Sequence, residues 1–255
     1  MDERACVMEA LRLAGSIILE NGGETYRVED TVERLGRALG AEDVQPFAVP
    51  SGVFITVNFP DGTMATKVYR ARGSGKHLQK VDEVNRISRL AAEGQIGPKE
   101  ALEALRAVKA EGFAYPFALR VLANAASSGG FTAMFLGGWP DIMMAFVSGA
   151  LVQLVLEWCA KRDISRVFQS AAGGALCTLL PLAFHQLTSL GAVDAMTGGL
   201  LMSLVPGLPM TNAVQDTMRG DVLSGVGHGM QALLTAVLVA GGGVVASRAL
   251  WMLLV

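Results

Sequence analysis

Charge is nearly missing from the second half of this 255-residue chain. Residues 117–255 hold six Lys/Arg and six Asp/Glu, against fifteen and seventeen in residues 1–116. Such a charge-poor half excludes an ordinary soluble surface there and points to a membrane. Cysteine is scarce as well: Cys6, Cys159 and Cys177 have neither the spacing of a metal site nor that of a disulfide framework, so all three read as structural, and no metal or cofactor is predicted. A formal net charge of −2 leaves no basic footprint for nucleic acid. The chain has no H-E-x-x-H, no G-x-S-x-G and no G-x-G-D, which argues against a membrane enzyme. Gly73-Ser74-Gly75-Lys76 lacks the first glycine of a phosphate loop, and Gly225 to Gly229 lacks the spacing of a dinucleotide fingerprint. Asp2, Glu3, Arg4, Glu9 and Arg12 interrupt the first twenty residues, so no signal peptide is expected.

What is present is a series of uncharged runs over 121–140, 142–156, 167–193, 195–215 and 222–247. Crossing about 30 Å of hydrocarbon takes roughly 20 residues, so five spans are predicted, at 117–137, 140–158, 167–190, 193–217 and 222–247. Trp139 and Trp158 bracket the short second run as interfacial aromatics. Arg120, the group Lys161, Arg162 and Arg166, and Arg219 mark three cytoplasmic places, while the intervening loops carry no Lys or Arg. The chain is therefore expected to be a multi-pass protein of the cytoplasmic (inner) membrane with residues 1–116 in the cytoplasm.

Those first residues form their own pattern. Val7, Leu11, Ala14 and Ile18 make a helical stripe ending at Asn21-Gly22-Gly23, and a second helix is predicted from about Thr25 to Gly40. The period then changes to two over Val44–Val49, Val53–Phe59 and Met64–Tyr69, with Pro60-Asp61-Gly62 as a hairpin turn. Two more helices, about His77–Ala92 and Pro98–Ala110, lead toward the membrane. The predicted fold is thus a mainly α membrane protein, a five-span helical bundle with one broken helix, preceded by a small cytoplasmic α+β domain. Arg70, Arg72, Lys76 and Lys80 with His77 form the densest basic cluster, read as a solvated face.

The fourth run carries Pro206, Gly207 and Pro209 in its middle. Proline lacks an amide donor and clashes with the preceding turn, so the helix is expected to break at 206–209 and to restart at Thr211 or Asn212. Non-helical backbone at bilayer depth lines a cavity or is buried in protein, and broken helices build the substrate sites of many transporters. Polar residues in the apolar half are few: Asn124, Ser127 and Ser128 in the first span, Thr211, Asn212, Gln215 and Asp216 after the break, and Asp221 and His228 at the start of the last span. Pro206, Gly207, Thr211, Asn212, Asn124 and Ser127 are the candidate substrate-binding residues, with a helix N-terminus and the Thr211 hydroxyl receiving a carboxylate. Asp216, Asp221 and His228 are the candidates for proton or ion coupling. No catalytic residue is assigned.

The stretch Leu204 to Ala213, LVPGLPMTNA, followed by Asp216, Gly220-Asp221 and Ser224-Gly225, resembles the PG-x-x-x-TNA-x-x-D motif of the threonine/serine exporter family. Gly22 to Asp30, GGETYRVED, resembles that family's early GAETYRVED-like signature, and Val84 to Arg89, VNRISR, resembles a later segment. The resemblance covers essentially the whole chain. It implies the larger, N-terminal subunit of the family's split two-component form, working as a hetero-oligomer with a short membrane subunit. It also implies ion-driven export of small carboxylate metabolites, threonine and serine or a dicarboxylate such as succinate. His228 stands where the family pattern commonly has arginine. The other function class considered is a membrane-anchored sensor or assembly scaffold acting through the cytoplasmic domain; it predicts that the break at 206–209 is replaceable by continuous helix, whereas a transporter requires it.

Overall fold

The computed structural model describes residues 2–71, 75, 77–112 and 115–254. Gly73 and Ser74, and with them Arg72 and Lys76 of the basic cluster, lie outside the described residues. The chain divides into two compact units, one comprising Met1–Phe113 with Leu208–Met230 and the other Ala114–Gly207 with Gln231–Val255.

In the first unit the elements are α1 (Glu3–Glu20), α2 (Thr25–Ala38), β1 (Asp43–Val49), β2 (Gly52–Asn58), β3 (Met64–Arg70), α3 (Leu78–Ala92) and α4 (Pro98–Ala110). The strands form one antiparallel sheet in the order β1-β2-β3, with Val44 opposite Val57 and Val57 opposite Ala65. The apolar stripe of α1 buries Leu11, Ala14, Ile17 and Ile18 almost completely, and α1 touches α2, α3, α4, β2 and β3, so it is the centre of this core. Gly15 lets it approach closely, since a Cβ there would sit 3.3 Å from Val53 and 3.5 Å from Val28 and Val32. The predicted strands and the Pro60-Asp61-Gly62 turn match to within a residue or so, because period-two alternation and a glycine at φ +82° are local signals.

The second unit holds α5 (Phe117–Met134), α6 (Trp139–Lys161), α7 (Arg166–Thr188), α8 (Val193–Leu201) and the part of α10 (Val222–Leu254) after Met230. Backbones meet where side chains are small. A Cβ on Gly174 of α7 would overlap the Val239 carbonyl, and one on Gly242 would overlap that of Ala171. Between α5 and α6 the Asn124 amide donates to the Gly149 carbonyl (2.8 Å), and Arg120 pairs with Glu157 (2.7 Å). Asp141, 5% exposed, accepts from the Gly138 amide at the start of α6 and from the Ala192 amide (3.0 Å), which fixes the loop before α8.

Three helices, Trp139–Lys161, Arg166–Thr188 and Val222–Met252, are long and apolar enough to cross a membrane. The chain is thus mostly helical, with three candidate membrane spans and one small sheet. By the same criterion α5 and the pair formed by α8 and α9 (Gly207–Met218) fall short. Residues 202–206 separate α8 from α9, and α9 begins at Gly207 rather than at Thr211 or Asn212. Pro209 is the third residue of α9, where an amide has no intrahelical acceptor anyway, so the proline does not delay the helix.

Candidate functional site

The PG-x-x-x-TNA-x-x-D segment contributes Leu208 to Asp216 to the first unit, where it meets the Gly22–Asp30 signature. Why that loop has its shape is local. Gly22 lies at φ +88°, where a β-carbon is strained, and a Cβ on Gly23 would overlap Ile18 at the end of α1. The two glycines turn the chain from α1 into α2 and put Glu24, Thr25, Tyr26 and Arg27 at the start of α2.

Asp216 is the centre of the site. It is fully buried, and an ionised carboxylate there can only accept. Its Oδ1 accepts from the Thr25 hydroxyl (3.0 Å), and its Oδ2 lies 2.9 Å from Nδ1 of His228, which donates if the carboxylate is ionised. One turn earlier Asn212, 5% exposed, donates from Nδ2 to the Gly22 carbonyl at 3.4 Å. Arg219 lays its guanidinium over the Tyr26 ring, 3.6 Å from the centroid. Three polar motif residues, Asn212, Asp216 and the later Ser224, are therefore buried against the N-terminal elements, Ser224 donating to the Ala48 carbonyl at 3.5 Å.

A second carboxylate backs this arrangement. Glu29 accepts from the Ala48 amide (2.7 Å), and burial, reinforced by the nearby negative charge of Asp221 and Asp216, holds its carboxyl above the ordinary range despite that hydrogen bond. Of the three coupling candidates, Asp216 and His228 are thus in direct contact, and Asp221 acts on Glu29 through its charge.

Beside Asn212 lies a cavity of about 250 Å³ walled by the Gly22–Glu24 loop, Arg27, Asp82 and Asn85 of α3, and Leu208, Thr211 and Asn212 of α9. Arg27 pairs with Glu24 through Nε (2.8 Å). The Thr31 hydroxyl donates to Oδ1 of Asn85 (3.0 Å), which leaves the Asn85 amide nitrogen as a donor. The cavity thus holds a cation, amide donors and carboxylate acceptors, a set able to bind a small charged metabolite.

The remaining candidates belong to the second unit. Asn124 and Ser127 are on α5 in the second unit, and the Asn124 amide is engaged by Gly149. Pro206 is buried at the end of that unit's 114–207 segment, and a Cβ on Gly207 would meet nothing within 4 Å. Sequence reasoning did not nominate Thr25, Arg27, Glu29, Asp82 or Asn85. Four of them fall in or beside the two quoted signatures, and the usable signal was that a buried Asp216 requires donors from some other polar segment.

The chain matches, over residues 9–250, the profile of the family ThrE, described as "Putative threonine/serine exporter". It is 28% identical over 256 residues to the "Probable succinate transporter subunit YjjP" of Klebsiella aerogenes, covering 97% of this chain and 93% of that protein. The protein of the same description from Escherichia coli K12 is 26% identical over 240 residues, with 93% and 91% covered. The "Threonine/serine exporter" of Corynebacterium glutamicum is 23% identical over 246 residues, which are 94% of this chain and 50% of that protein. No solved structure matches. With its motif residues gathered around Asp216 and a family match over almost its whole length, the chain belongs to the threonine/serine exporter family.

Proposed function

We propose that this chain is one subunit of a secondary-active exporter of small carboxylate metabolites, threonine and serine or a dicarboxylate such as succinate. In this reading it lies in the cytoplasmic membrane with its N-terminal elements in the cytoplasm, and α5 and the α8–α9 pair, a helix broken after Leu201, complete a five-span bundle with the three long apolar helices. A short membrane subunit of the same family completes the transporter. Two relatives described as transporter subunits, and a relative twice as long of which this chain matches half, support a second component.

The observation that carries the reading is the burial of Asp216, held by Thr25 and His228, one helical turn from Asn212, which walls a cavity together with Arg27 and Thr211. The substrate carboxylate binds in that cavity against Arg27, with Thr211 and Asn212 on the α9 side. Asp216 and His228 form the coupling pair: protonation of the carboxylate or of the imidazole breaks or reinforces their contact, and α9 carries the change to the residues that touch substrate. Pro206 and Gly207 stay assigned to the same broken helix, and Asn124 and Ser127 to the transport path in the second unit.

Efflux of preloaded labelled threonine, serine and succinate by Asn212→Ala and Asp216→Asn tests this. Both variants are expected to insert normally and to lose efflux at least about tenfold, one lost charge-assisted hydrogen bond being worth about 1.5–3 kcal/mol. Wild-type efflux from both removes the assignment.

A further inference from the structure

The cavity beside Asn212 is bipolar, and its negative side has no role in binding a carboxylate. Arg27 supplies one positive charge, Glu24 and Asp82 two negative ones. Glu24 is engaged by Arg27 (2.8 Å). Among the described residues no side chain pairs with Asp82, which is exposed on the first turns of α3 and still lines the cavity. On the same helix, one turn on, Asn85 has its oxygen taken by the Thr31 hydroxyl (3.0 Å) and offers its amide nitrogen. Across the cavity, the Asn212 nitrogen is directed to the Gly22 carbonyl (3.4 Å), which leaves its oxygen as an acceptor. Donors and acceptors are therefore separated: Arg27 and Asn85 Nδ2 give, Asp82 and Asn212 Oδ1 accept.

We propose that Asp82 is a specificity-determining residue that selects substrates carrying an ammonium group beside the carboxylate, so that this chain favours α-amino acids over dicarboxylates. The inference rests on the cavity being the substrate site. A zwitterion places its carboxylate against Arg27 and Asn85 and its ammonium against Asp82 and the Asn212 oxygen, so that each of its two charges meets an opposite one. A dianion satisfies Arg27 with one carboxylate but brings its other one to a wall whose fixed charges already sum to negative, where like charges repel in a partly desolvated space.

The test is equilibrium binding of labelled threonine and labelled succinate to the full chain, assembled with its partner subunit in lipid nanodiscs. Wild type is expected to prefer threonine. Asp82→Asn is expected to weaken threonine binding about tenfold, as loss of one charge-assisted contact does, and to strengthen succinate binding, while Asp82→Glu retains the wild-type order. Arg27→Gln is expected to weaken both ligands. An unchanged threonine-to-succinate ratio in Asp82→Asn, or a wild type that prefers succinate, overturns the selector role even if Arg27→Gln loses both ligands. Undiminished binding in Arg27→Gln, or no binding of either ligand to wild type, overturns the cavity assignment and the selector with it. Unfolding midpoints within a degree or two of wild type show that the variants are folded.

Discussion

At the scale of single residues, the site is built from groups that solve one another's burial. Asp216 is fully buried and takes a hydroxyl and an imidazole as partners, so Thr25→Val, which keeps the shape and removes the donor, leaves Oδ1 without that bond. The expected cost is about 1–3 kcal/mol, read as a lower unfolding midpoint of the purified protein. Glu29 titrates in the opposite sense from the ordinary structural carboxylate. Its folded pKa lies above its usual 4.5, so the folded protein binds that proton more tightly than the unfolded chain. The stability it contributes is present below pH 4.5 and is lost as pH rises through the folded value. Glu29→Gln keeps the acceptor for the Ala48 amide and removes this loss, so the variant should gain stability relative to wild type as pH rises toward neutrality, checked by thermal unfolding across pH. Glu9 behaves inversely: Arg12 and Lys67 hold it at about 2, and its contribution disappears as pH falls from 4.5 toward that value.

At the scale of elements, glycine decides which helices can meet. Gly174 and Gly242 place α7 and α10 in backbone contact, so Gly174→Ala or Gly242→Ala forces the helices apart, at a cost of about 1–3 kcal/mol in helix packing. Crosslinking between cysteines placed on α7 and α10 should fall in either variant, while Gly207→Ala, which meets open space, leaves it at the wild-type level. The strands, the hairpin at Gly62 and the helix of Pro98 were legible because each rests on neighbours in sequence: alternation, a turn residue, a proline at the first helical position. The start of α9 was misplaced by a turn, since Pro209 reads as a breaker when its position within the helix is unknown. Between α8 and α9, Ser203, Leu204 and Val205 keep their amides bonded to Leu200 and Leu201, and Pro206 ends that turn just before α9 begins. Candidate residues on α9 were legible as rare polar groups in an apolar run. Their partners were not, because Thr25 and Asp216 are 191 positions apart and nothing local in either segment specifies the other.

At the scale of the whole molecule, the composition contrast between residues 1–116 and 117–255 does not coincide with the compact units, because Leu208–Met230 packs with the charged N-terminal elements. Apolar character reports what a segment tolerates next to it, and a short polar motif with Asn212, Asp216 and Ser224 on its buried side overrides that signal locally. The consequence for function is that the signature segments around Gly22–Asp30, Asn85 and Leu208–Asp216 come together in one unit, with a cavity walled by Arg27 and Asn212 and, one turn further along α9, a buried acid held by a histidine. The most direct measurement is efflux of preloaded labelled threonine, serine and succinate from cells expressing this chain with and without the proposed short membrane subunit. Efflux of at least one of these carboxylates only when both subunits are present is the predicted result. No efflux of any of them, with both subunits confirmed in the membrane, would contradict the account.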